Sequence, residues 1–90
     1  MEWRISLSRQ VEKFLSHNHT SDELVVEAIT KAVQKLSGEN IGVDVKQLSG
    51  DWGGYYRIRL GKLRVIFSFD AQQCSVFVAV IDHRGNVYKK

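Results

Sequence analysis

Ninety residues, 43% of them hydrophobic and 26% charged, supply one compact core but little volume for a deep enclosed pocket, so a ligand is expected to lie across the surface of a single domain spanning 1–90. Cys74 is the sole cysteine, which excludes an internal disulfide and fits a reducing compartment. The opening Met1-Glu2-Trp3-Arg4-Ile5 lacks the regions of a secretory signal, and the longest apolar run, Val76 to Ile81, is far too short for a membrane span; the chain is read as cytoplasmic, with no membrane partner.

In chain order, Trp3, Ile5 and Leu7 alternate with polar residues, which predicts a strand over Glu2 to Leu7. Ser8 is placed as the N-cap of a short helix carrying Val11, Phe14 and Leu15, which fades at His17-Asn18-His19. Thr20-Ser21-Asp22-Glu23 has capping-box spacing, and Val25, Ala28, Ile29, Ala32, Val33 and Leu36 form one apolar stripe ended by Gly38. The stretch Glu39 to Gly54 is glycine-rich and irregular, so it is read as a long connection anchored by Val43, Val45 and Leu48. Within it Trp52 either anchors the loop or stacks on a base, and the sequence leaves both open.

Leu60-Gly61-Lys62-Leu63 predicts a two-residue hairpin turn, because glycine at the first central position suits type II′ geometry. Leu60 then faces Leu63, Arg59 faces Arg64 and Ile58 faces Val65. Tyr56, Ile58, Leu60, Leu63, Val65, Phe67 and Phe69 share the core face, while Tyr55, Arg57, Arg59, Arg64, Ile66 and Ser68 share the other. Ser75 to Asp82 is apolar on both faces, the pattern of a strand flanked on both sides. The order of elements predicts an α+β fold: a small antiparallel sheet with an N-terminal strand and a two-helix hairpin packed on one face.

Charge is divided unevenly along this plan. Residues 1–45 carry five Lys/Arg against seven Asp/Glu, and residues 46–90 carry eight against three. On that balance alone a solvated charged face is the better reading. Three guanidinium groups on one predicted face, two of them directly opposed, shift it to an anion site, since opposed like charges are unfavourable without a counterion. The terminal Asp82-His83-Arg84-Gly85-Asn86-Val87-Tyr88 adds a fourth arginine, an imidazole and a phenol. Such a set suits holding a polyanion and moving a proton, as RNA cleavage requires.

These residues resemble the RelE/ParE superfamily of type II toxins, and more closely its RelE branch. The resemblance covers nearly the whole chain and is carried by Leu48-Ser49-Gly50, Tyr56-Arg57-Ile58-Arg59-Leu60-Gly61, Leu63-Arg64-Val65-Ile66-Phe67, His83-Arg84 and Val87-Tyr88. It implies a RelE-like fold and a ribosome-dependent endoribonuclease that cuts mRNA, needs no cofactor or metal, and is held inactive by a cognate antitoxin. At the matching positions Arg64 and Arg84 would stabilise the phosphate, Arg57 would add a further cation, and Tyr88 would activate the 2′-hydroxyl. Arg59 stands where the family often has a lysine that is a candidate general acid. His83 is the neighbouring group whose ordinary titration range suits that task. Arg57, Arg59, Tyr55 and Lys62 are the expected substrate-binding residues. Two alternatives remain at this point: a ParE-like DNA gyrase inhibitor, and a catalytically degraded RNA-binding member of the fold.

Overall fold

The computed structural model describes residues 3–18 and 22–83, with His83 described by its backbone position. Among these residues two helices and five strands follow one another as β1 (Arg4–Leu7), α1 (Arg9–His17), α2 (Asp22–Leu36), β2 (Val45–Gln47), β3 (Tyr56–Leu60), β4 (Leu63–Asp70) and β5 (Ser75–His83), with a 3-10 turn at Gly50–Trp52 between β2 and β3. The strands form one sheet in the order β1-β5-β4-β3-β2. This is the expected α+β arrangement, with two differences of detail.

First, β1 pairs parallel to β5 while every other neighbouring pair is antiparallel. Parallel partners need a long crossover, and everything from α1 to β4 lies between β1 and β5. The sheet is therefore mixed rather than wholly antiparallel. Second, the stretch expected to be a structureless connection contains β2, an edge strand that pairs with β3. Val45 is half-buried opposite Ile58, while Lys46 and Gln47 are exposed. A three-residue strand with a lysine on it is a short, charged edge of the kind that discourages further pairing.

Local chemistry accounts for the boundaries. Ser8 has extended backbone angles, and its Oγ accepts from the Val11 N–H at 3.2 Å, capping α1. Gly38, at φ +103°, ends α2; its N–H donates to Lys35 and the next N–H, from Glu39, donates to Gln34. Gly61 has φ +62° and Lys62 is not in the positive region, the signature expected of the β3–β4 turn. The ladder holds Leu60 opposite Leu63, Arg59 opposite Arg64 and Ile58 opposite Val65.

The core lies between the helices and one face of the sheet. Val11 and Leu15 of α1, Val25, Ile29, Ala32 and Val33 of α2, and Ile58, Val65, Phe67, Val76, Val78 and Ile81 of the sheet are buried in one cluster. Phe67 is fully buried, stacked on Tyr56 at 5.7 Å, and Tyr56 reaches Phe69, against which Trp3 packs edge-on at 6.0 Å. These aromatic rings add specific contacts to the area they bury.

β5 departs from simple alternation. Ile66 pairs with Val80 but Phe67 pairs with Val78, leaving Ala79 as the extra residue of a bulge. The insertion lets both Val78 and Ile81 enter the core, where strict alternation would have brought in Val80 and Asp82. It also puts Asp82 opposite Arg64.

Candidate nucleic-acid interface

The face of the sheet away from the helices is built of rungs that the register fixes. One rung holds Arg59 and Arg64 side by side, with Asp82 beyond Arg64 on β5. At its β2 end the Arg59 N–H donates to the Asp44 carbonyl at 3.2 Å. The next outward-facing rung is Lys46, Arg57, Ile66 and Val80. The three arginines expected on one face are thus together, on two consecutive outward-facing rungs.

Their environments differ. Arg64 is buried, with 7% of its surface exposed, and its Nη1 donates to the carbonyls of Leu63 at 3.1 Å and Gly61 at 3.4 Å. The Arg57 side chain is 13% exposed and that of Arg59 50% exposed. Asp44 bridges these two: Oδ1 lies 3.2 Å from Arg57 Nη2, and Oδ2 lies 3.4 Å from Arg59 Nε. Arg57 Nε is buried without a hydrogen-bond partner among the described residues. A buried donor left unmade is costly unless something later accepts from it, which suits a cation waiting for an oxyanion. Ile66, fully buried, is the β4 member of the Arg57 rung and belongs to this face rather than to the helix-side core.

Asp44 is the functional neighbour that sequence reasoning passed over. It lies just before β2, in the stretch taken for a loop, so no periodicity tied it to the arginines. Its own side chain is 51% exposed, so solvent screens both ion pairs and each is weak, roughly 1 kcal/mol or less. They hold two guanidinium groups in place at small cost and leave them exchangeable.

The remaining expected residues are dispersed. Tyr55 is half-buried just before β3 and packs edge-on against Trp52, with ring centroids 5.4 Å apart at 83°. Its carbonyl accepts from the Leu48 N–H and its N–H donates to the Trp52 carbonyl. Trp52 is part-buried in this loop corner, which favours its reading as an anchor. Lys62 is exposed at the tip of the β3–β4 turn. β5 ends at His83, whose register partner is Leu63, a residue of the apolar set, one rung beyond Arg64 and Asp82. Arg84 and Tyr88 lie outside the described residues. Among the described residues, no helix is long and apolar enough to cross a membrane.

This architecture is shared with known toxins. A chain of the archaeal RelE–RelB complex from Pyrococcus horikoshii superposes with a TM-score of 0.59 at 26% identity, covering 97% of this chain and 100% of that one. A chain of the RelBE2 toxin–antitoxin complex from Mycobacterium tuberculosis gives a TM-score of 0.59 at 20% identity, covering 93% and 100%. YafQ from Escherichia coli gives 0.68 at 12% identity, covering 98% and 100%. No protein-family model matches the sequence, and no curated protein does so either. The fold is therefore that of the RelE-type toxins, as the sequence motifs led us to expect. The match extends over nearly the full length of each chain.

Proposed function

We propose that this chain is the toxin of a type II toxin–antitoxin system: an endoribonuclease that cleaves mRNA on the ribosome, inhibits translation, and is restrained by a cognate antitoxin. The observation that carries the reading is the Arg59–Arg64 rung with Arg57 one outward-facing rung away, on the sheet face of a RelE-type fold that points away from the helices. The RelE structure from Pyrococcus horikoshii was determined with RelB, and that from Mycobacterium tuberculosis is a toxin–antitoxin complex. A protein antitoxin is the corresponding partner here, and the cytoplasm, where messages are translated, is the corresponding site of action.

In the proposed reaction the 2′-oxygen of the message attacks the adjacent phosphorus while Tyr88, as its phenolate, takes the hydroxyl proton. The bond to the 5′-oxygen breaks, His83 protonates that leaving oxygen, and a 2′,3′-cyclic phosphate remains. Arg64 and Arg84 stabilise the charge that builds on the non-bridging oxygens, and Arg57, Arg59, Lys62 and Tyr55 hold the strand. Arginine is suited to the electrostatic part because it stays charged and presents two parallel donors to a phosphate. It is a poor proton donor near neutrality, so the acid must be another group. The donor set supplies the phosphate stabilisation that a metal ion would otherwise provide, and the proposal is of metal-independent cleavage.

The test is cleavage of a message on programmed ribosomes against the same message free in solution, with and without chelator. Cleavage on the ribosome that far exceeds that of free RNA and survives chelation is the expected result. Arg84→Ala should lower the single-turnover rate by roughly 10²- to 10³-fold, and Tyr88→Phe by roughly 10²- to 10⁴-fold with ribosome affinity nearly unchanged. His83→Gln should slow cleavage and flatten one limb of its pH profile. Intact RNA together with inhibited DNA supercoiling by gyrase would replace this reading with the ParE-like one.

A further inference from the structure

Beside the arginine rungs the same face carries an aromatic residue that the chemistry above does not use. Phe77 is 43% exposed, and among the described residues it is the exposed large apolar side chain of the sheet, the others, Leu24 and Val26, lying on α2. Its rung explains the exposure. Phe77 pairs with Ser6 on β1 and with Ser68 on β4. Cross-strand neighbours ordinarily cover an aromatic ring, but two hydroxymethyl groups are too small to do so. The ring is left standing between them.

The next position along this rung is Tyr55, because Tyr56 pairs with Phe67 and the residue before it therefore lies beside Ser68. Phe77 and Tyr55 are thus two strand spacings apart, about 9.6 Å, with Ser68 as the floor between them. A planar ring centred over Ser68 would lie about 4.8 Å from each, inside the range for offset stacking of aromatic rings. Tyr55 packs edge-on against Trp52, which restricts its ring. Ser6 and Ser68 place hydroxyl groups on either side of Phe77, each able to donate to or accept from the edge of a base. The next outward-facing rung, about 7 Å along the strands, brings Arg57 and Lys46. Arg57 there retains a buried Nε–H without a partner among the described residues.

We propose that Phe77, Ser68 and Tyr55 form a nucleobase slot which, with Arg57 as its phosphate ligand, binds one unpaired nucleotide of the message flanking the scissile bond. This rests on the ribonuclease reading for the identity of the strand and extends it by assigning a second nucleotide subsite. The occupant is single-stranded RNA because the slot opens onto the cationic rungs, and exposed aromatic rings on an open sheet face are how single strands are held without base pairing. The slot lies about 13 Å along the sheet from the Arg64 rung, so it positions the message and takes no part in bond breaking.

Equilibrium titration of the full-length protein with a short single-stranded RNA carrying 2-aminopurine tests the slot directly. The wild type should quench the probe on binding, at one position of the oligonucleotide more than at its neighbours. Phe77→Ala should abolish that quenching and weaken binding by about 5- to 100-fold, the range for losing one base–ring stack, while Phe77→Trp should restore both. On ribosomes Phe77→Ala should raise KM and change kcat little, with antitoxin affinity unaltered. Unchanged quenching and affinity in Phe77→Ala overturn the slot, even if the wild type cleaves message normally. Loss of antitoxin binding with RNA binding intact also overturns it, since Phe77 then serves a protein surface. Failure of the wild type to cleave ribosome-bound message refutes the nuclease reading instead, and the quenching results still decide the slot.

Discussion

Arg59 and Arg64 are partners in the β3–β4 ladder, yet their guanidinium groups leave the shared rung in different ways. Arg64 folds onto the carbonyls of Gly61 and Leu63 and is almost wholly buried, whereas Arg59 stays half-exposed and reaches Asp44. The opposed like charges are relieved by divergence and by acids at both ends of the rung, Asp44 and Asp82. A cation held by its surroundings is preorganised for charge that develops in a transition state. A mobile, solvated one contributes mainly to binding.

That difference predicts unequal losses. Arg64→Ala should lower single-turnover cleavage by roughly 10²- to 10³-fold, and Arg59→Ala should cost about tenfold, mostly in affinity. Arg64→Lys should recover little, because one ammonium replaces neither the fork nor the bonds to the turn carbonyls. Rates on programmed ribosomes, with thermal unfolding to confirm that each variant is folded, provide the check. Equal effects at the two positions would show that burial of Arg64 has no catalytic consequence.

On the proposed ribonuclease reading, Asp44 occupies the place beside Arg57 and Arg59 that an RNA phosphate would take. Removing its charge should therefore favour the nucleic acid. Asp44→Asn is expected to tighten binding of a single-stranded oligonucleotide about two- to fivefold at low salt, the scale of an exposed ion pair. It should also steepen the fall of log affinity with log salt by about 0.7 for each further phosphate neutralised. Fluorescence anisotropy across a salt series measures both. Weaker binding would mean that Asp44 holds the arginines productively and does not compete for them.

Much of this arrangement was legible from side-chain periodicity. The hairpin at Gly61 set the register, and the register put Arg57, Arg59 and Arg64 on one face. Three features were hidden because they depend on contacts distant in sequence. β2 is three residues long, too short for alternation to declare itself, and with it went the pairing of Asp44 to the arginines. The bulge at Ala79 lies within a run apolar on both faces, where a slip of one residue leaves the hydropathy pattern unchanged. Phe77 looked like one more member of that run until the serines at Ser6 and Ser68 were placed beside it.

The turn between β4 and β5 stores a small amount of strain. Cys74 has φ +50°, a conformation that costs a side chain roughly 1–2 kcal/mol, while Asp70 Oδ1 accepts from the N–H groups of Gln72 at 2.9 Å and Gln73 at 3.3 Å. Cys74→Gly removes the strain but adds freedom to the unfolded chain, so a net gain of about 0.5–1 kcal/mol is expected. Cys74→Val should destabilise by a similar or larger amount. Urea unfolding measures both, and neither change should alter cleavage by the folded protein, because the turn is remote from the arginine rungs.

Gln10 is the residue through which the helical layer is joined to the strand that leads to His83. β1 ends at Leu7, so among the described residues the outer edge of β5 beyond Val78 has no strand beside it. The Ser8 N–H and Oγ donate to the carbonyls of Val78 at 2.9 Å and Ala79 at 2.7 Å. Gln10 then meets both backbone groups of Ile81: its Nε2 donates to the carbonyl at 2.8 Å and its Oε1 accepts from the N–H at 3.0 Å. One amide thus substitutes for a missing strand at the residue where the bulge returns β5 to the core. Gln10→Ala strips both partners from a part-buried backbone, which should cost about 1–3 kcal/mol. Gln10→Met, which keeps the shape of the side chain but not its amide, should be destabilised nearly as much, whereas Gln10→Glu can still accept from the Ile81 N–H but loses the donor to its carbonyl. Amide hydrogen exchange gives the decisive readout: the Ile81 N–H should lose protection in Gln10→Ala by more than the N–H groups of Val65 and Phe67, which remain in the intact ladders of β4. Uniform loss of protection across the sheet would show that Gln10 supports the fold as a whole and has no local hold on β5.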